Sequence, residues 1–128
     1  DAMVTVKRAA NYKNMTQAER KKFLKNVTPF RERRNGGFVY YGLRASTEDV
    51  ILQPVYHYIS DFVGDYAVFE APGGRRGVLK RDGHVAVPAI YRDLVVLPKG
   101  RVRVTYWSGI EETTTVRQLQ MHEINRSG

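Results

Sequence analysis

The chain contains no cysteine, which removes disulfides, thiol nucleophiles and thiolate zinc sites from consideration at once. Histidine is scarce: His57, His84 and His122 stand in three distant places, with no His-x-x-x-His spacing among them. A zinc centre needs three or four ligands held near tetrahedral geometry, so neither a metal nor another cofactor is expected. No apolar run approaches the roughly 18 residues of a membrane-spanning helix, and the basic start of the chain lacks the apolar h-region of a signal peptide. These absences leave cytoplasm and cell envelope equally open.

Motifs of catalysis are missing as well. There is no Gly-x-Ser-x-Gly and no His-Glu-x-x-His, and Gly73-Gly74-Arg75-Arg76-Gly77 lacks the Lys-Ser/Thr pair that grips phosphate. Asp61, Asp65 and Asp93 are the carboxylates to weigh for acid–base work, yet Asp61 and Asp93 follow Tyr56 and Tyr91 at nearly the same place. A catalytic pair needs two different environments to separate its pKa values, so these carboxylates read as structural. The expectation is a protein that is not an enzyme.

Acidic side chains are outnumbered, 13 against 21 Lys and Arg, and the imbalance is local. Residues 1–36 carry ten cations against Asp1, Glu19 and Glu32, a net of +7, while the other 92 residues hold a net of only +1. Within that segment Thr16-Gln17-Ala18-Glu19 has the spacing of a capping box, and good helix formers follow as far as Lys25. The spacing predicts one helix of about three turns. Met15, Ala18, Phe23, Leu24 and Val27 would form its apolar stripe, leaving Arg20, Lys21 and Lys25 in water. A helix face of this kind is usually just solvated. Here it runs on into Arg31, Arg33 and Arg34, and Arg75-Arg76 with Lys80-Arg81 would extend it if the helix packed near that hairpin. Such a surface attracts a polyanion or an acidic membrane face.

From Phe38 onward the pattern changes to short β-branched and aromatic runs separated by Gly, Pro and Asp. Strands are expected at 38–41, 50–52, 66–69, 77–79, 85–87, 94–97 and 102–107, with Ala71–Gly74 and Arg81–His84 as hairpin loops. Val4–Val6 would add an edge strand and Thr113–Val116 a late one, whereas Arg117–Ile124 reads as either helix or strand and Asn125–Gly128 as a frayed tail.

Two of these stretches overlay at an offset of 35 residues: Gly42 meets Gly77, Val50 meets Val85, Leu52 meets Val87 and Tyr56 meets Tyr91. A slip of one residue then sets Gly64 on Gly100 and Val68 on Val104. A period in this range means a supersecondary unit that hides its apolar face by stacking on its neighbour. The order of features resembles the WG-repeat family of bacterial β-rich proteins over about residues 38–110. The matches are Tyr41-Gly42, Pro54, Tyr56 and Gly64–Val68, then Gly77, Asp82-Gly83, Val85–Pro88, Tyr91 and Gly100–Val104. Where the family carries Trp this chain has Tyr41 and Arg76, and a third unit opening at Trp107-Ser108-Gly109 breaks down at Glu111-Glu112. The resemblance implies a repeated antiparallel β unit, often in envelope-associated or secreted proteins, with no shared catalytic residues.

The reading is a single α+β domain over residues 1–128, mainly antiparallel β. A basic N-terminal segment with one helix spans 1–36, WG-like units over 38–110 form a curled sheet or barrel, and a C-terminal segment spans 111–128. Tyr56 and Tyr91 are expected as core wedges at equivalent, mostly buried positions, and His57 as half-buried packing. Strand alternation must turn one of Tyr40 and Tyr41, and one of Tyr106 and Trp107, outward. The outward rings would share one apolar patch for a protein partner or a second copy, which makes a non-catalytic adaptor the leading function. Nucleic-acid binding through Arg20, Lys21, Lys25, Arg31, Arg33 and Arg34 is the alternative, and cell-wall glycan on exposed aromatics a third.

Overall fold

Strand-forming runs broken by turn residues give three antiparallel sheets in the computed structural model, which describes residue 12 and residues 14–127. The first sheet has the order β1 (Thr28–Arg33), β2 (Val39–Arg44), β3 (Val50–Tyr56). The middle sheet runs β4 (Tyr58–Ile59), β5 (Tyr66–Glu70), β6 (Arg76–Lys80), β7 (Val85–Tyr91). In the third, β9 (Arg101–Thr105) lies between β8 (Asp93–Val96) and β10 (Glu111–Thr115). The sheets stay separate among the described residues, so the barrel alternative is not realised: each sheet ends in edge strands instead of closing on itself. The expected strand Val4–Val6 lies outside the described residues.

The middle sheet is buried on both faces. Ala67, Phe69 and Leu79 join Val27, Leu43 and Ile59 in one apolar cluster, while Val68 and Val78, their neighbours along the same strands, join Val87, Tyr91, Leu94, Val102 and Val104 in another. Side chains alternate faces along a strand, so a strand covered on both sides must be apolar without interruption. Ala67-Val68-Phe69 and Gly77-Val78-Leu79 are such runs, buried at every position.

The registers of two strand pairs correspond at an offset of 35 residues. β2 and β3 pair Tyr41 with Tyr56, Leu43 with Leu52 and Arg44 with Val50, with irregularities on either side of Leu43. β6 and β7 pair Arg76 with Tyr91, Val78 with Val87 and Leu79 with Val85, each 35 positions further on, with irregularities at the matching places. The bulged strand comes so close that a β-carbon on Gly42 would stand 2.3 Å from the Leu52 carbonyl oxygen, and one on Gly77 2.4 Å from that of Val87. Only glycine fits there.

The same displacement holds where the sequence suggested a slip. Ile59 faces Phe69 in β4–β5, and Leu94 faces Val104 in β8–β9. Phe69, not Val68, therefore takes the place that Val104 takes. The residue 35 past Gly64 is Lys99, and both are left-handed, Gly64 at φ 64° and Lys99 at φ 65°. An L side chain in that region is strained. Gly100 is left-handed as well, at φ 71°, so Lys99 and Gly100 together make a two-residue left-handed stretch.

Helix α1 (Gln17–Leu24) has its capping box: the Thr16 hydroxyl accepts from the Glu19 amide at 3.1 Å, and the Thr16 amide donates to the Glu19 carboxylate at 2.9 Å. It is shorter than expected, eight residues, because the chain turns at Lys25 to carry Val27 into the core. Met15, Phe23 and Leu24 are half-buried and Val27 is buried, as the stripe read from the sequence has them, whereas Ala18 is exposed and Arg20 half-buried, the reverse of the expectation for those two. At the other end the helix reading of 117–124 holds. The Thr115 hydroxyl accepts from the Gln118 amide, and α2 (Val116–Ser127) continues through the stretch expected to fray. Val116 and Leu119 are buried against the middle sheet, and Gln120 donates to the Ala86 carbonyl at 3.0 Å. Tyr91 is buried and Tyr56 half-buried, while His57 is exposed, its ring against Tyr40.

Replacing Gly42 or Gly77 with Ala should each cost about 3 kcal/mol in urea unfolding, since the added carbon meets backbone that cannot yield. Lys99→Gly should move stability the other way, raising it by about 1 kcal/mol through relief of the left-handed strain.

Candidate binding groove

Four carbonyls at the end of a helix lack intrahelical partners. At the end of α1 the carbonyls of Leu24 and Lys25, with that of Val27 just beyond, find Arg81, which follows β6. Its Nη1 donates to the carbonyls of Lys25 at 2.8 Å, Leu24 at 3.2 Å and Val27 at 3.5 Å, its Nε to the Gly64 carbonyl at 2.9 Å, and its guanidinium lies 4.9 Å from the Phe62 ring centroid. A planar fork can serve several acceptors at once, and a cation at a helix C-terminus also meets the negative end of the dipole. The helix is thereby fastened across the β6–β7 turn.

Between them lies a groove of about 850 Å³ lined by Ala18, Lys21, Lys22, Leu24 and Lys25 of the helix segment and by Asp65, Tyr66, Lys80, Arg81 and Asp82. Five cations thus face two carboxylates. Lys21, Lys22, Lys25 and Lys80 are exposed, whereas Arg81 is half-buried with its donors committed to carbonyls. Asp82 is also engaged: it accepts from the His84 amide at 3.0 Å and stands 3.1 Å from the His84 Nδ1. Burial alone would raise the Asp82 carboxyl, but these two contacts with His84, and the charges of His84 and Lys80, hold it below the usual carboxylate range. It therefore stays ionised and tied to its own turn.

The other sequence-predicted residues are distributed elsewhere. Arg20 turns from the groove and donates to the Tyr12 carbonyl, its guanidinium 5.0 Å from the Tyr12 ring centroid. Arg31 lies on β1 opposite Tyr41 and lines a smaller cleft of about 310 Å³ with Phe30, Tyr58 and Asp61. Arg33 donates to the Gly37 carbonyl, and Arg34 binds the Pro54 carbonyl and Glu32 while lying over the Tyr40 ring. The six cations read as one surface therefore divide between α1 and the β1–β2 hairpin.

The aromatic pairs are divided too. Tyr40 and Tyr41 are both half-buried, Tyr40 edge-on to His57 and Tyr41 to Tyr58, on the first sheet. Tyr106 and Trp107 stand at the β9–β10 turn on the third sheet, where Trp107 is 58% exposed and its Nε1 donates to the Ile90 carbonyl at 3.0 Å. The two pairs thus belong to different sheets and touch different neighbours. The Tyr106 hydroxyl donates to Glu112 at 2.7 Å and its ring packs on Tyr91. That hydrogen bond, with burial and the Glu112 charge adding to it, pushes the phenol up to about 12.

Lys22, Lys80, Tyr66 and the two carboxylates of the groove were not singled out as one site from the sequence; the available signal was Lys80-Arg81 flanking the Asp82-Gly83 turn. No family model, curated protein or solved structure matches this chain.

Arg81→Met should cost about 2 kcal/mol, the worth of charge-assisted bonds lost to a set of exposed and partly buried carbonyls, and should speed hydrogen exchange in α1 before the sheets. For Tyr106, the folded value of about 12 lies above the ordinary 10, so its stabilisation is complete below pH 10 and is lost as pH rises towards 12. Ultraviolet titration should show one tyrosine ionising last, and Glu112→Ala should abolish that late step.

Proposed function

We propose that this protein is a non-catalytic binding module, built on one antiparallel β unit used twice, that engages a polyanion through the groove between α1 and β6. The observation that carries the binding reading is the Arg81 attachment: one side chain fixes the helix so that Lys21, Lys22 and Lys25 share a groove with Lys80. Lysine is a point charge on a long stem, suited to phosphates without demanding one geometry. Cations presented on a fixed helix lose less freedom on binding than cations on a loop.

The repeated unit supports the module reading. Leu43, Ile59, Ala67 and Phe69 sit in one cluster and Val78, Leu94, Val102 and Val104 in the other, each set displaced by 35 residues from its counterpart. A unit of this kind hides its apolar face by stacking, and its outer surfaces are left for contacts. Sheet and helix together then act as a rigid mount for charge.

A second reading rests on the β9–β10 turn, where Trp107 and Ile110 are 58% and 65% exposed. Aromatic side chains of this kind anchor protein interfaces. If a protein partner or a second copy occupies them, Trp107→Ser should weaken self-association in sedimentation without lowering stability.

For the polyanion reading, a labelled random-sequence oligonucleotide should bind at 50 mM salt, with log affinity falling against log salt with a slope of about −3 if the four lysines each release a counterion from single strands. Reversing Lys21, Lys25 and Lys80 to Glu should abolish that binding while changing stability by no more than about 0.5 kcal/mol per site. No binding at low salt by the unmodified chain would reject the reading.

A further inference from the structure

Resting on the polyanion reading, the groove carries more than charge. Ala18 and Leu24 of the helix and Tyr66 of β5 supply apolar lining beneath the lysines, and at about 850 Å³ the space falls within the roughly 300–1,000 Å³ of clefts that enclose a ligand. A surface that met only the phosphates of a duplex would need neither depth nor an apolar wall. We propose that the groove is a seat for single-stranded nucleic acid, taking one unpaired base against Leu24 and Tyr66 while the flanking phosphates lie on Lys21, Lys25 and Lys80.

The chemistry of the lining selects this ligand. Every base has an apolar π-face that packs on an aromatic ring, and in a single strand that face is free. In a duplex it is stacked inside, and bringing it out costs unpairing and unstacking. The carboxylates fit the same arrangement. Asp82 is held by His84, but Asp65 is exposed at the groove beside Tyr66. A carboxylate repels phosphate and accepts hydrogen bonds from the N–H edge of a base, so Asp65 belongs to the base side and the lysines to the backbone side. A chain of glutamates would meet the same lysines but bring no aromatic face to that side.

The test compares three labelled probes on the full chain at one salt concentration: a ten-residue oligothymidylate, a ten-base-pair duplex and polyglutamate. The single strand should bind at least ten-fold more tightly than either competitor, since one stacked base is worth about that factor. Tyr66→Leu should erase the preference and leave duplex affinity unchanged, while Tyr66→Phe, which keeps the ring, should retain it. Because Tyr66 also packs beside the core, a second measurement uses the unmodified protein: bromodeoxyuridine placed mid-strand should photo-crosslink to Tyr66 or Leu24. Equal binding of strand and duplex, with Tyr66→Leu silent and no crosslink in the groove, would overturn the base seat and leave the polyanion reading standing. Polyglutamate, or phosphatidylglycerol vesicles, binding as tightly as the strand would overturn the choice of ligand. Failure of every probe at low salt would remove both readings together.

Discussion

Where β3 bulges over Gly42 and β7 over Gly77, two backbones approach until no β-carbon fits between them. The rest of the sheet architecture depends on that approach. It sets which residue of β3 faces which of β2, hence which side chains point to the core, because a strand that slips by one residue turns its whole apolar set to the opposite face. Leu43 and Val78 are fully buried next to their glycines because the register is pinned there. From that register follow the two apolar clusters and the middle sheet that serves both.

Charge is organised by a different device, one guanidinium. Arg81 has its donors turned inward to the carbonyls of Gly64, Leu24, Lys25 and Val27. A side chain that reads as surface charge in the sequence is therefore a fastener, and the lysines around it are the ones left exposed to solvent. The same is true in the hairpin, where Arg34 is held by Pro54, Glu32 and the Tyr40 ring. Counting cations along the chain overstates how many are available, since planar forks are drawn to backbone carbonyls and aromatic faces whereas ammonium groups stay in water.

Most strands, the hairpin turns, the α1 cap and the mainly antiparallel class were legible because each rests on local chemistry: β-branched alternation, glycine at positive φ, a hydroxyl three residues before a carboxylate; β1 and β4 were not, since the charged run of β1 and the two residues of β4 carry no such pattern. Tertiary demands were not. The length of α1 was set by the need to bury Val27, and the choice of helix over strand at Val116 by the Thr115 hydroxyl together with the fit of Val116 and Leu119 against the middle sheet. The left-handed backbone at Lys99, beside Gly100 at φ 71°, falls on a residue type that gives no sign of it. The candidate groove was half legible. Lys21 and Lys25 were read correctly as an exposed face and Lys80-Arg81 as its conditional neighbour, but Arg31, Arg33 and Arg34 follow β1 away, a separation that sequence proximity conceals.

The residue of β10 opposite Val104 is Glu112, as the residue of β6 opposite Phe69 is Gly77. A further strand bulging over β10 as β7 bulges over β6 would drive its carbonyl into the β-carbon of Glu112, and would bury a carboxylate besides. A strand with that bulge therefore cannot be added at the β10 edge. At the same edge the chain leaves β10 directly for a helix that covers β7, so the strand whose glutamate refuses such a neighbour is also the last one the chain forms before it turns back over its own core.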